Sequence, residues 1–244
     1  MEKVNSQQDL QAADRTSLVS ETLAELKIQC EEAEKKARLR RFKLPYSAED
    51  FKILMTEFGN IILLERASLS PSQSPEIFII DDQDKYLLNQ LFFYARHDDR
   101  FEGDLSKGIM VIGPVGTGKS VIMEAYQRLL NNFSKKFTNL PIFKWYKSYE
   151  LFDKIKLDGM IDLKCPVFID ELGREKKSGK DYGNDIQPVI EWLMQRYDLG
   201  TLTHGTSNYL LEDLCKPDMY GEMLGDRLKS MFNFLVLNGK SRRK

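Results

Sequence analysis

Gly113-Pro114-Val115-Gly116-Thr117-Gly118-Lys119-Ser120 has the spacing G-x-x-x-x-G-K-[ST], and its surroundings decide the fold. The run before it, Gly108-Ile109-Met110-Val111-Ile112, is apolar and strand-like. The run after it, Val121-Ile122-Met123-Glu124-Ala125-Tyr126, opens a helical pattern. Strand, glycine-rich turn and helix together make a phosphate-cradling P-loop. Glycines let the backbone approach a phosphate with no Cβ in the way. The helix N-terminus adds unpaired N–H groups and the positive end of its dipole. The expected nucleotide-binding residues are therefore Gly113, Pro114, Val115, Gly116, Thr117, Gly118, Lys119, Ser120 and Val121. Lys119 is expected to reach the β- and γ-phosphates of ATP, and Ser120 to ligate Mg²⁺.

A second element lies downstream. Val167-Phe168-Ile169-Asp170-Glu171 is an apolar strand that ends in two acids, the pattern of a Walker B element. Asp170 is expected to hold the Mg²⁺ through water, and Glu171 to orient or deprotonate the attacking water. The plainer reading is a strand end with two solvated carboxylates, but a P-loop upstream favours catalysis. An activated water argues against a simple kinase. Thr206-Ser207-Asn208 closes a further strand, so Asn208 is expected to bond the γ-phosphate or the water, against the alternative of a turn-forming asparagine. Arg227, in Tyr220-Gly221-Glu222-Met223-Leu224-Gly225-Asp226-Arg227-Leu228, is a candidate arginine donated to a neighbouring subunit's γ-phosphate. A surface arginine on its own helix is the alternative.

Working outward, strands alternate with helices. Strands are expected at 108–112, 142–146, 166–169, 201–203 and 232–237, with helices at 84–96, 149–156, 185–197 and 220–230. This alternation predicts an α/β fold, a three-layer P-loop domain with a parallel five-stranded sheet. Ile77-Phe78-Ile79-Ile80 reads as a short extended run. Toward the N-terminus, residues 14–41 carry a narrow apolar stripe of Val19, Leu23, Leu26 and Cys30 and end in a basic segment, Lys35–Lys43. Pro45 breaks that helix, and a second is expected from Ser47, with Asp50 in its first turn. Its apolar content, from Phe51 to Leu64, is too high for a free-standing helix. Ser68 to Pro75 reads as a linker, so the expected domains are 1–75, a helical partner-binding module, and 76–244, the ATPase domain.

Composition excludes several classes. The formal net charge of −1 gives no global attraction to nucleic acid or anionic membrane, so any such contact must be local. Cys30, Cys165 and Cys215 form no C-x-x-C pair, which suggests neither zinc nor a disulfide framework. No apolar stretch approaches the roughly 20 residues of a membrane span, and the N-terminus lacks an apolar signal core. A reduced, cytoplasmic setting is expected.

With these residues assembled, the chain resembles the AAA+ ATPases of the DnaC/IstB type, bacterial replicative-helicase loaders and transposition ATPases. The resemblance runs from about residue 78 to the end. It is carried by Gly116-Thr117-Gly118-Lys119-Ser120, Phe168-Ile169-Asp170-Glu171-Leu172-Gly173, Thr206-Ser207-Asn208, the block from Tyr220 to Leu228, and Gly239-Lys240-Ser241-Arg242-Arg243. It implies an Mg-dependent ATPase in which Asn208 is sensor 1 and Arg227 the box VII arginine finger. One departure is Met223, which stands where the family's YGER box has its arginine. The resemblance also implies no full C-terminal lid.

Two functions follow from it. One is a helicase loader whose N-terminal helices grip a replicative DNA helicase while the ATPase part self-associates through Arg227 and touches single-stranded DNA. The other is an IstB-like transposition accessory ATPase that binds duplex DNA and recruits a transposase. Lys35–Lys43, Lys176-Lys177 and Lys240–Lys244 are the candidate DNA contacts.

Overall fold

A computed structural model describes residues 18–31, 43–69, 76–137, 142–176, 178–181 and 184–242. The chain forms two compact units, Met1–Phe42 and Lys43–Lys244. In the first, residues 18–31 form helix α1. Most of the basic segment Lys35–Lys43 and the linker after Leu69 lie outside the described residues.

The second unit opens with α2, Ala48–Ser68, whose start follows the expected capping. The Asp50 N–H donates to Ser47 Oγ at 3.0 Å, and the Ser47 N–H donates to the Asp50 carboxylate at 3.3 Å. The reciprocal pair satisfies two donors that a helix start leaves open. Phe51, Met55, Gly59 and Ile62 are buried along one stripe of α2, which packs on the helix that follows the P-loop. The division into compact units at 42/43 leaves α2 on the side of the P-loop. An apolar helix needs a covering face, and for α2 that face belongs to the P-loop unit.

The other elements of this unit are a 3₁₀ turn (Asp82–Asp84), α3 (Lys85–Arg96), β1 (Gly108–Ile112), α4 (Lys119–Phe137), β2 (Lys144–Lys147), α5 (Ser148–Asp158), β3 (Val167–Asp170), β4 (Gly179–Asp181), β5 (Asn184–Ile186), α6 (Pro188–Asp198), β6 (Thr203–Ser207), α7 (Leu211–Leu214), α8 (Gly221–Met231) and β7 (Phe232–Val236). Five strands make one sheet in the order β2-β3-β6-β1-β7, every pair parallel. Their expected positions hold to within a few residues. The run Ile77–Ile80 joins no ladder. Instead the Phe78 N–H donates to Asn60 Oδ1 at 2.9 Å, and its ring lies over Gly59, where any Cβ would strike it. The antiparallel β4–β5 hairpin was not expected, and α6 starts at Pro188 rather than near residue 185. Proline suits a first helical turn because its φ is preset and its missing N–H has no partner there.

Side chains alternate across the central strands and divide the core into two layers. Met110, Ile112, Val167 and Ile169 face one way and pack with Leu151, Val189, Trp192 and Leu228 from α5, α6 and α8. On the other face, Phe168 and His204 meet Tyr126 of α4, and His204 also meets Tyr94 of α3. The His204 ring accepts a hydrogen bond from the Ile109 N–H at Nδ1, 3.0 Å. The result is the three-layer α/β architecture the alternation predicts.

Candidate nucleotide site

Parallel strands end on one edge of the sheet, and that edge collects the expected residues. The P-loop leaves β1, Asp170 ends β3, and Asn208 follows the last residue of β6, which lies between the other two strands. Gly116 and Gly118 have φ of 86° and 97°, backbone that side-chain-bearing residues rarely adopt. Lys119 starts α4, and its Nζ donates to the carbonyls of Gly113 and Pro114, both at 2.7 Å. Thr117 Oγ1 donates to the Pro114 carbonyl at 3.0 Å. The lysine is thus held across the mouth of its own loop.

Asp170 is 8% exposed. Its Oδ1 accepts from Thr206 Oγ1 at 2.7 Å, and Ser120 hydrogen-bonds its carboxylate. Burial pushes its carboxyl above the usual carboxylate range, and the hydrogen bonds from Ser120 and Thr206 oppose that rise. Arg66 of α2, paired with Glu124 at 2.7 Å, adds a smaller opposing charge. Among the described residues no group of three or more His, Cys, Asp or Glu could hold a metal ion. Ser120 and Asp170 nevertheless fit Mg²⁺. That cation takes one or two protein oxygens, keeps several waters, and completes its shell with phosphate oxygens.

Glu171 stands apart in its backbone, with φ of 60°. The left-handed region is costly for a glutamate and persists only where neighbours enforce it. Here the Glu171 N–H donates to Thr206 Oγ1 at 2.9 Å, and the Glu171 carbonyl accepts from Ser148 Oγ at 2.7 Å. Its carboxylate pairs with Arg174, one turn further on. Thr206 therefore touches both acids of the strand end, donating to one and accepting from the other. The sequence reading named Thr206 as part of a strand end and gave its hydroxyl no role. A β-branched residue in a strand carries no signal of what its hydroxyl meets. Ser148, at the start of α5, and Arg174, in the turn after β3, belong to no motif and so carry no signal of their own.

Arg227 is not part of this edge. It sits on α8, with its guanidinium 5.1 Å from the centre of the Tyr197 ring and 3.8 Å from Asp198. Those residues end α6 just before β6 begins, so Arg227 lies toward the edge where the strands start. Within one chain it does not reach the P-loop. Met223, four residues earlier, is 65% exposed.

Of the candidate DNA contacts, residues 35–42, Lys177 and residues 243–244 lie outside the described residues. Lys176 Nζ sits 4.8 Å from the centre of the Phe152 ring. Arg242 is ion-paired to Asp84 and Asp81 at 2.8 and 3.1 Å. A cleft lined by Lys107, Arg196, Thr201 and Ser230 lies at the edge where the strands start, away from the P-loop.

No protein-family model matches the chain, and neither does any curated protein. Among solved structures it is similar to the DnaC helicase loader, with 21% identity, a TM-score of 0.46, and coverage of 66% of this chain and 93% of that one. It is similar to DnaI at 20% identity and a TM-score of 0.48, covering 69% and 88%. It is also similar to AMPPCP-bound DnaA from Aquifex aeolicus at 16% identity and a TM-score of 0.44, covering 66% and 48%. At identities and scores this low, the likenesses assign neither a function nor a partner. The strand order and the edge that carries Lys119, Asp170 and Glu171 are seen directly in this chain.

Proposed function

We propose that the chain is an Mg²⁺-dependent ATPase that acts as a DnaC-like loader of a replicative DNA helicase on single-stranded DNA. The observation that supports the ATPase part is the meeting of Ser120, at the start of α4, with Asp170, at the end of β3, with Glu171 beside them in a strained backbone. In this reading the amides of Gly116, Gly118 and Lys119 wrap the phosphates, and Lys119 turns from its loop carbonyls toward them. Ser120 and Asp170 hold the Mg²⁺, which neutralises charge on the phosphates. Glu171 takes the proton of the attacking water, and Asn208 orients that water or the γ-phosphate. Arg227 cannot serve its own site, so it completes the site of a neighbouring copy. The loader part is supported by the motif resemblance from residue 78 onward and by the separate N-terminal unit. No described helix is long and apolar enough to cross a membrane, which is compatible with work in the cytoplasm.

The test has two stages. Calorimetry with Mg-ATP should show binding by the wild type, little by Lys119→Ala, and near-normal binding by Glu171→Gln. Hydrolysis by Glu171→Gln should fall by about 10²–10⁴-fold, the range of a lost general base. Heat no greater than dilution for the wild type would overturn the ATPase reading. The second stage mixes the protein with a hexameric replicative helicase and circular single-stranded DNA. ATP-dependent loading supports the loader. Recruitment of a transposase to duplex DNA instead would make the protein an IstB-like accessory ATPase.

A further inference from the structure

After β7 the chain turns back over the P-loop. The Leu237 N–H donates to the carbonyl of Ile112, the last residue of β1, at 2.8 Å. The Leu237 carbonyl fills the position a Cβ on Gly113 would take. Further along, the Arg242 N–H donates to the Gly116 carbonyl at 2.9 Å. Ser241 Oγ occupies the space beside Gly116, and a Cβ on Gly118 would lie 3.2 Å from Arg242 Nη1. Three P-loop glycines thus carry residues 237–242 against them. Their missing side chains make room for the tail as well as for a phosphate.

The tail is anchored at its far end. Arg242 Nη2 donates to Asp84 Oδ2 at 2.8 Å and lies 3.1 Å from Asp81 Oδ1. Asp84 is fully buried at the turn before α3. Among the described residues Asp84 Oδ1 and Arg242 Nε have no hydrogen-bond partner, and Arg242 supplies the counter-charge of this buried carboxylate. A charged pair in this setting is costly to break from either side. Gly239 packs against Gln83 of the same turn, which fixes the path of the tail between the two anchors.

We propose that residues 237–242 are a clasp on the P-loop, and that Arg242 is a positioning residue holding the loop in its phosphate-binding form through Gly116 and Asp84. The proposal rests on the reading of the P-loop as an ATP site. A clasp that favours the binding form must be tightened by the nucleotide to the same degree, because coupling between two sites is reciprocal.

The experiment uses the full chain and Mg-ATP. By calorimetry, Arg242→Ala should weaken binding by about tenfold, within the usual range of such coupling. Arg242→Lys should recover part of the loss. Asp84→Asn, which keeps the size and the cap, should weaken binding less than Arg242→Ala. The double variant should be no weaker than Arg242→Ala, because the two residues act as one pair. By hydrogen exchange, the Arg242 amide should slow when Mg-ATP is added to the wild type. Unchanged affinity in Arg242→Ala, or losses that multiply in the double variant, would overturn the clasp. If Arg242→Ala does not fold, Asp84→Asn and the wild-type amide exchange decide, and an Arg242 amide indifferent to Mg-ATP overturns it. Failure of the wild type to bind Mg-ATP removes the ATP site and the clasp with it. Normal wild-type binding, loss in Lys119→Ala and no effect of Arg242→Ala reject the clasp alone.

Discussion

Thr206 shows how much of this site rests on one hydroxyl. It donates a hydrogen bond to Asp170 and accepts one from the Glu171 N–H. Thr206→Val keeps the shape and removes both bonds. The loss of a hydroxyl that leaves buried partners unsatisfied costs about 1–3 kcal/mol, which urea unfolding will measure. Glu171 also loses the bond that fixes its left-handed backbone, so hydrolysis should fall more than Mg-ATP affinity does, and Thr206→Ser should restore both. Asp170 makes a different prediction. Its folded-state carboxyl sits above the ordinary range, so the folded chain holds that proton more tightly than the unfolded chain. Ionised Asp170 therefore opposes folding at neutral pH, and the penalty fades as pH falls through the raised value toward the ordinary one. Asp170→Asn should raise the thermal midpoint of the ligand-free chain at pH 7, with the gap closing in acid. The same variant should lose the extra stability that Mg-ATP gives the wild type. A midpoint that drops at pH 7 would contradict this assignment of strain.

At the scale of elements, α2 and α8 carry the sharpest tests. α2 buries Met55 completely against the P-loop unit, and pairs Arg66 with Glu124 and Glu65 with Arg128 of α4 at 2.7 Å each. Met55→Ala should cost about 2–5 kcal/mol, the range for truncating a buried methionine. The loss should appear in the same cooperative transition that reports the P-loop domain. A separate, earlier transition that spares nucleotide binding would instead place α2 in a module of its own. For α8, Arg227→Ala should leave Mg-ATP affinity intact and lower hydrolysis by about 10³-fold or more, the scale of a lost arginine finger. Mixing Arg227→Ala with Glu171→Gln, each inactive alone, should restore some turnover. One copy then supplies the arginine and the other the base. No recovery on mixing, with Arg227→Ala unstable to heat, would leave Arg227 as a partner of Tyr197 and Asp198 only.

Across the whole molecule, the regular α/β alternation was legible because its signals are local. Apolar runs of four or five residues mark the buried strands, and turn residues punctuate them. The two acids after Phe168-Ile169 and the P-loop spacing were legible for the same reason, since each is a contiguous pattern. Positions that depend on distant residues were not. Phe78 left the extended run Ile77–Ile80 to cover Gly59, nearly 20 residues earlier in the chain. The tail's anchor beside the P-loop joins residues 158 positions apart, Arg242 and Asp84. The basic C-terminus reads in sequence as a candidate DNA contact, because nothing nearby reveals a buried carboxylate waiting for it. By itself the sequence determined the P-loop, the acidic strand end and the parallel α/β order, all written in neighbouring residues by periodicity and backbone chemistry. Tertiary structure alone decided that Thr206 joins the two acids, that α2 packs on the helix after the P-loop, that Arg227 lies beside Tyr197 and Asp198, and that the C-terminal tail lies on the loop. Hydrogen bonds and burial between distant segments depend on where the folded chain places them.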